Sequence, residues 1–539
     1  MLSKEQPIYY NWLRFLIIIL LVLGVFFRFA NLDKKLYWND EVATSIRISG
    51  YSFKEIQQSA LQGNEMTVEE WRKYQYPNPE KGLVDLVKGL ATEEPQLPPL
   101  YFVLARFWVQ LFGNSVAVTR SFSAAVSLLA FPCIYWLCKE LFASPLTGWV
   151  AMALIAISPL HLLYAQEARP FSLWIVTILL SSAALLRAMR LQTKLSWGVY
   201  AATLVLGFYT YLLSGLVAIG HGIYAIVNER FRFTNQVKAY LLASLTGTII
   251  FIPWIIAILS GFSEATETTE WSKEKVHLPA LMRTWILNLS RSFFDINESF
   301  LTRNLLIYIF IIVLVGYAVY FLCRQTPKQV WLFVLTLIGV TAVALALPDV
   351  ISGGKRSAVI RYLIPSYLGI QIAIAYLLAT KISALSMKNW QKKLWQIAMV
   401  FLISMGVVSC AVSSQSETWW NRYRQTYLPE ATKVINQTER PLVLGNWYNL
   451  LGLRYAVKPQ VRLVSFYLQL VEKKKSNPLK EVRDVFIYLP PDGLKEFLEK
   501  KYNYRLVKTY SWKGETDPVK KVQTTLWQLS KKGKANSDK

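Results

Sequence analysis

Asp40 and Glu41 stand in the stretch Leu36-Tyr37-Trp38-Asn39-Asp40-Glu41, ten residues beyond the first long apolar run. Carboxylates beside a hydrocarbon boundary cost free energy unless they are paired or solvated, so this pair is a candidate proton acceptor. The plainer reading is that Asp40 caps the amphipathic helix that follows and Glu41 favours its positive end. Glu93-Glu94-Pro95-Gln96-Leu97-Pro98-Pro99-Leu100-Tyr101 keeps two more carboxylates in an extended entry to an apolar helix, because a proline disfavours helical backbone in the residue before it. Arg120 sits about one turn inside the next apolar run, where a guanidinium either finds an acidic or phosphate partner or snorkels to the interface. Tyr164-Ala165-Gln166-Glu167-Ala168-Arg169 puts both signs of charge into one tight turn; the alternative is an anchoring Arg169 beside a solvated Glu167. Ser352-Gly353-Gly354-Lys355-Arg356-Ser357, followed by Arg361-Tyr362, gathers three cations at the lip of another run. There Arg grips phosphate as a planar fork and Lys as a point charge, although topology also tolerates a few such charges. Carboxylates that accept a proton, with cations that hold an anionic leaving group, suit group transfer from a lipid-linked phosphate.

The elements that position these residues are membrane spans. Of 539 residues 53% are hydrophobic and 17% charged, against roughly 25% charged in soluble domains, which excludes a soluble multi-domain enzyme. Aromatic residues at 14% exclude disorder. Runs of about 20 apolar residues, the length a bilayer demands, lie near 12–30, 116–138, 146–165, 170–188, 196–212, 214–228, 238–260, 304–322, 329–347, 359–380 and 394–413. These predict an α-helical polytopic membrane protein with about 11 transmembrane helices. The first run lacks a small-residue cleavage site and reads as an uncleaved span. The segment 98–112 is shorter and opens with Pro98-Pro99, so it reads as an interfacial or re-entrant helix.

With eleven spans, the basic residues of the short loops, from Lys139 and Arg190 through Arg232 and Lys328 to Lys393, share the side of the N-terminus. The positive-inside rule makes that side the cytoplasm. The loop 31–115, the loop 261–303, the turns 166–169 and 348–357 and the tail then face outside, so all four constellations share one face. A spanning 98–112 would reverse these sides. The net charge of +25, from 59 basic and 34 acidic residues, suits anionic lipid headgroups; no zinc-finger or basic-helix pattern points to nucleic acid. Cys133, Cys138, Cys323 and Cys410 read as buried thiols, and the scattered His161, His221 and His277 argue against a histidine metal site. A secondary transporter would place charges at mid-bilayer and often show an internal repeat, and no convincing repeat is found.

After the last span the pattern changes. Strand-like runs at 442–444, 461–466, 485–489 and 525–529 alternate with amphipathic stretches such as 494–501, which predicts a small C-terminal α/β domain. The division is therefore 1–413, membrane domain with juxtamembrane helices in 31–115, and 414–539, a basic extracytoplasmic domain.

In order and membrane side, these residues resemble the polytopic glycosyltransferases of the GT-C fold, family 39, which includes protein O-mannosyltransferases and aminoarabinose transferases of lipid A. The resemblance covers roughly 10–380 and rests on Asp40-Glu41, Pro98-Pro99-Leu100-Tyr101, Arg120 in Ala117-Val118-Thr119-Arg120-Ser121-Phe122-Ser123, the Gln166–Arg169 turn and Arg361-Tyr362. It implies an enzyme of the cell membrane that takes a sugar from a polyprenyl-phosphate donor and transfers it with inversion to a lipid, glycan or protein acceptor outside the cytoplasm. Asp40, with Glu41 beside it, is the catalytic candidate and Asp40 the base. Arg120, Lys355, Arg356 and Arg361 are candidates for the donor phosphate, and Glu94, Tyr101, Glu167, Arg169 and Tyr362 for placing sugar or acceptor. Members often carry His where Leu97 stands, so any contact made by that His is missing. No cofactor is required, and a divalent cation near Asp40 and Glu167 is compatible with the resemblance. The same features would also suit a glycan ligase or flippase of the same lipid pathway, or a non-catalytic scaffold whose tail recruits partners.

Overall fold

The computed structural model describes residues 6–60, 65–296, 304–384, 387–419, 428–465, 484–490, 494–501, 504–512 and 523–531. The apolar runs fold as helices: α1 (Gln6–Phe29), then, within the first loop, α2 (Asn39–Ser49), α3 (Leu83–Glu93) and α4 (Leu100–Phe112). They continue as α5 (Val116–Leu128), α6 (Ala130–Phe142), α7 (Pro145–Ala156), α8 (Pro159–Ala165), α9 (Phe171–Leu191), α10 (Lys194–Thr210), α11 (Ser214–Asn228) and α12 (Asn235–Ser260). The membrane part closes with α13 (Leu305–Gln325), α14 (Lys328–Ser352), α15 (Ile364–Ser383) and α16 (Asn389–Gln415). The result is a multi-pass membrane protein, with exposed Phe15, Val22, Leu245 and Leu306 as surface for lipid.

The number of spans differs from eleven when length is applied strictly. Among the described residues eight helices are long and apolar enough to cross a bilayer, with α5 and α6 counted as one, and the bent pair α7 and α8 makes a ninth. The runs at 196–212 and 214–228 fold as α10 and α11, of 17 and 15 residues. At 1.5 Å per residue they reach about 23–26 Å, short of a hydrocarbon core of about 30 Å. They form an antiparallel hairpin, with the Tyr200 hydroxyl 3.1 Å from His221 Nδ1. That hairpin keeps the alternation of sides: Arg190 pairs with Glu140 at 2.8 Å, and Lys328 Nζ reaches the Val227 carbonyl, so the short basic loops share one end of the bundle. The segment 98–112 is α4, a 13-residue helix packed against α2 and α5.

The break between α7 and α8 bends the chain by 63°, because Pro159 cannot donate the hydrogen bond that would continue the helix. The carbonyls it frees are met by Arg28 of α1, whose guanidinium donates to Ile155 O at 3.0 Å and Ala156 O at 2.7 Å. Gly24 makes room for this approach, since a Cβ there would stand 2.7 Å from Ala156. The bend aims α8 at the 166–169 turn.

The tail does not pack alone. Its strands β2 (Pro441–Gly445), β3 (Arg462–Ser465), β4 (Asp484–Tyr488), β5 (Tyr504–Trp512) and β6 (Gln523–Lys531) are joined by β1 (Met66–Thr67) from the first loop, in the order β1-β3-β2-β4-β6-β5. β2 runs parallel to both β3 and β4; the other pairings are antiparallel. Tyr37, Val42, Ile46 and Trp71 of the first loop share one apolar core with Val443, Leu450 and Phe486 of the tail. The helix α17 (Trp447–Leu453), between β2 and β3, lies against α2. The strand expected at 461–466 ends at Ser465, and Phe466 lies outside the described residues, as do 297–303 of the 261–303 loop.

Candidate active site

α2 carries the site, with a carboxylate holding its first turn and a glycine ending it. Trp38 is its N-cap residue, Glu41 Oε2 accepts from the Trp38 amide at 3.3 Å, and Gly50 ends the helix at a φ of 89°. From Glu41 to Ser49 every residue is buried. Asp40, one position earlier, keeps 31% of its side chain exposed.

Glu41 has a structural task. Arg120 donates to it from Nε at 2.8 Å and Nη2 at 2.7 Å, and the Ala168 amide donates to Glu41 Oε1 at 2.9 Å. The remaining Arg120 donors reach the carbonyls of Leu32 at 2.6 Å, Lys35 at 2.8 Å and Leu36 at 2.8 Å. All five guanidinium N–H groups are thus spent, and both side chains are buried. The geometry corrects the placing of Arg120 among phosphate ligands: no donor is left for one. It also takes Glu41 out of acid-base work, since its charge is fully matched. What the pair does is lock α2 to α5 and to the 166–169 turn.

Asp40 faces a different cation. Its Oδ2 lies 3.7 Å from Arg361 Nη1, an ion pair too long for a hydrogen bond. Arg361 is flanked by the rings of Tyr362 at 5.5 Å, Phe171 at 5.8 Å and Trp271 at 5.9 Å. Arg169 donates to the Asp40 carbonyl and to Thr44 Oγ1, each at 3.2 Å, holding the first turn of α2 from the membrane side. A partly exposed carboxylate, a cation across a short gap and aromatic walls are therefore contributed by α2, α9, the 261–303 loop and the segment before α15.

The other expected residues fall into two groups. Glu94 stays at the rim, accepting from Arg47 Nε at 2.9 Å, while Arg47 Nη1 also holds Glu93 at 2.6 Å. Lys355 and Arg356 lie on the same side of the molecule, but each already faces a carboxylate: Lys355 pairs with Glu274, and Arg356 stands 3.4 Å from Asp349. Tyr101 is buried and hydrogen-bonds Ser123 at 2.7 Å; burial raises its pKa. It cannot touch a sugar, which corrects its role to support of the Arg169 turn, where Ser123 Oγ meets the Arg169 carbonyl at 3.4 Å. Glu167 is likewise buried inside that turn, so its place is structural too. Among the described residues no three His, Cys, Asp or Glu side chains come together as a metal site would need.

Three contributors lie outside the sequence motifs, Arg47, Trp271 and Tyr448, and Phe171 extends the 166–169 turn. Tyr448 of α17 donates to the Asn39 carbonyl at 2.8 Å, beside Asp40. Its pKa is raised by burial and then by the nearby Asp40 and Glu94 carboxylates. The readable signal was positional: Tyr448 follows β2, at the carboxyl end of a parallel strand, where α/β sheets place ligands.

Comparison with known proteins agrees with the fold. The model of the family described as dolichyl-phosphate-mannose-protein mannosyltransferase matches residues 96–256. Apo ArnT from Cupriavidus metallidurans superposes with a TM-score of 0.53 at 11% identity, covering 96% of this chain and 98% of that one. An oligosaccharyltransferase of Archaeoglobus fulgidus, tethered to an acceptor peptide, gives 0.50 at 11% identity over 95% of this chain and 74% of that one. No curated protein matches the chain. The polytopic GT-C glycosyltransferase fold read from the motifs is the fold of this protein.

Proposed function

We propose that this chain, with its GT-C glycosyltransferase fold, transfers a sugar from a polyprenyl phosphate to an acceptor hydroxyl, with Asp40 as the general base and Arg361 as the principal ligand of the departing phosphate. The observation that carries this reading is the Asp40–Arg361 pair, 3.7 Å apart with Asp40 partly open to solvent. The family description, which names a lipid-phosphate sugar, supports the donor class.

The acceptor oxygen attacks C1 of the sugar as the bond from C1 to the phosphate oxygen breaks. The electron pair of that bond leaves with the polyprenyl phosphate, which becomes a dianion, and the acceptor proton passes to Asp40. Attack opposite to departure inverts the anomeric configuration. Charge grows on the phosphate in the transition state, so a fixed guanidinium opposite it lowers the barrier more than it tightens donor binding. Lys355 and Arg356, each facing a carboxylate, add only weakly to the positive potential, Glu94, Arg169 and Tyr362 frame the sugar and acceptor, and both charges the step needs come from side chains. The basic loops at the far end of the bundle face the cytoplasm, and the site and the 414–539 tail face outward from the cell membrane. Which sugar and which lipid, glycan or protein acceptor is used is set by the shape of these walls.

The experiment supplies purified protein to membranes of a deletion strain, which hold donor and acceptor together, and follows the new glycoside by mass spectrometry and NMR. The reading expects a product with anomeric configuration opposite to the donor. A retained configuration, or no product beyond the membranes alone, overturns it.

A further inference from the structure

Among the described residues, α17 is the helix that lies across the first turn of α2 from the tail side. Its Tyr448 hydroxyl donates to the Asn39 carbonyl at 2.8 Å, and Asn39 and Asp40 open the same helix. Asn446 caps α17 by accepting from the Tyr448 amide at 2.9 Å, which fixes the direction of the tyrosine. The ring packs edge-on to Phe53 at 6.0 Å, and Phe53 lies under the Arg47 guanidinium, 3.9 Å away, that pairs with Glu94. Gly452, one turn on, leaves α17 close to Asn39 Oδ1. The strand order supplies an independent reason: β3 and β4 both pair with β2 in parallel and lie on its opposite sides, so the chain changes direction there. Tyr448 stands three residues past the end of β2, at this switch point, where open parallel sheets leave a crevice for ligands.

We infer that the C-terminal domain completes the transfer site through Tyr448, a positioning residue whose hydroxyl holds the first turn of α2, and so Asp40, in register with the acceptor. The inference rests on the proposed transfer reaction and adds to it a contact from the tail. Arg169 grips the Asp40 carbonyl from the membrane side and Tyr448 grips the Asn39 carbonyl from the other, so the base is held between two parts of the chain. Tyr448 and its neighbour Asn449 are both partly exposed, which leaves this edge of the site open to an acceptor.

The test compares full-length wild type with Tyr448→Phe and Asp40→Asn in deletion-strain membranes at equal amounts of folded protein. Binding of undecaprenyl phosphate and the melting temperature are measured alongside. Losing a hydrogen bond that positions the base lowers kcat about 3- to 10-fold, with lipid affinity and melting temperature unchanged. A wild-type kcat for Tyr448→Phe, or a loss explained by a lower melting temperature alone, overturns the inference. Wild-type transfer by Asp40→Asn would instead overturn the underlying reaction, so the two failures are told apart.

Discussion

Arg361 reaches Asp40 from the segment just ahead of α15, at the far end of the membrane domain in sequence, and meets its carboxylate at 3.7 Å. One position along α2, Glu41 meets Arg120 at 2.7 Å with both groups buried. Two adjacent carboxylates thus take two cations from distant segments, and solvent access separates their roles. The closed pair holds the helix, and the open pair is available to substrate.

The closed pair is expected to behave as architecture. Removing one partner of a buried ion pair strands the other charge, at a cost of about 3–5 kcal/mol. Glu41→Gln and Arg120→Met should therefore each lower the melting temperature in detergent and the folded yield. The double substitution should recover part of the loss, because no charge is left alone. A single variant with unchanged stability would contradict the account of this pair.

Arg361→Ala is expected to weaken undecaprenyl phosphate binding about tenfold to a hundredfold, the range of charge-assisted hydrogen bonds worth about 1.5–3 kcal/mol. Lys355→Ala and Arg356→Ala should each cost less than about tenfold, since each already faces a carboxylate. Isothermal titration or intrinsic tryptophan fluorescence measures the order. An equal loss at all three positions would argue for a diffuse field in place of one principal ligand.

Lys35 gives a pH signature. Its ammonium is buried, donates to Gln166 Oε1 at 2.7 Å, and has its pKa lowered to about 7, by burial first and then by the charge of Arg120. Between that value and the unfolded pKa of about 10.4 the unfolded chain binds more protons, so stability rises with pH across this window and levels off above it. Below about pH 7 both states are protonated and Lys35 contributes no slope. Lys35→Met should flatten the rise in melting temperature from pH 7 to 10 relative to wild type, and an unchanged slope would contradict it.

The sequence carried the apolar helices, though not the number that span, and most of the tail strands, because bilayer thickness and strand alternation act on local residue order. It could not carry the difference between Asp40 and Glu41. Both follow one span at the same distance, and the choice is made by Arg120 and the Ala168 amide, which arrive from other segments. Arg120 was legible as a guanidinium in want of a partner, but a carboxylate and a phosphate satisfy that want equally. Tyr101 likewise reads as a polar aromatic at a helix start, and its burial against Ser123 follows from packing alone. The place of Tyr448 just past β2 is readable, but its contact with Asn39 is not, because it joins the tail to the first loop, and β1 adding to the tail sheet is a pairing of the same distant kind.

Sidedness is open to labelling. Single cysteines placed at Leu111, Gln192 and Asn449 in a background lacking the four native cysteines report access to a membrane-impermeant maleimide in intact cells. Leu111 and Asn449 should label and Gln192 should not, which would set the site outward and the basic loops inward. Labelling of Gln192 alone would reverse the orientation.

The most direct measurement is single-turnover transfer by Asp40→Asn, at saturating donor, in protein shown by its melting temperature to be folded. With Asp40 as the base, the rate should fall by about 10²- to 10⁴-fold while undecaprenyl phosphate still binds. A wild-type rate in that variant would remove Asp40 from the chemistry and contradict the account.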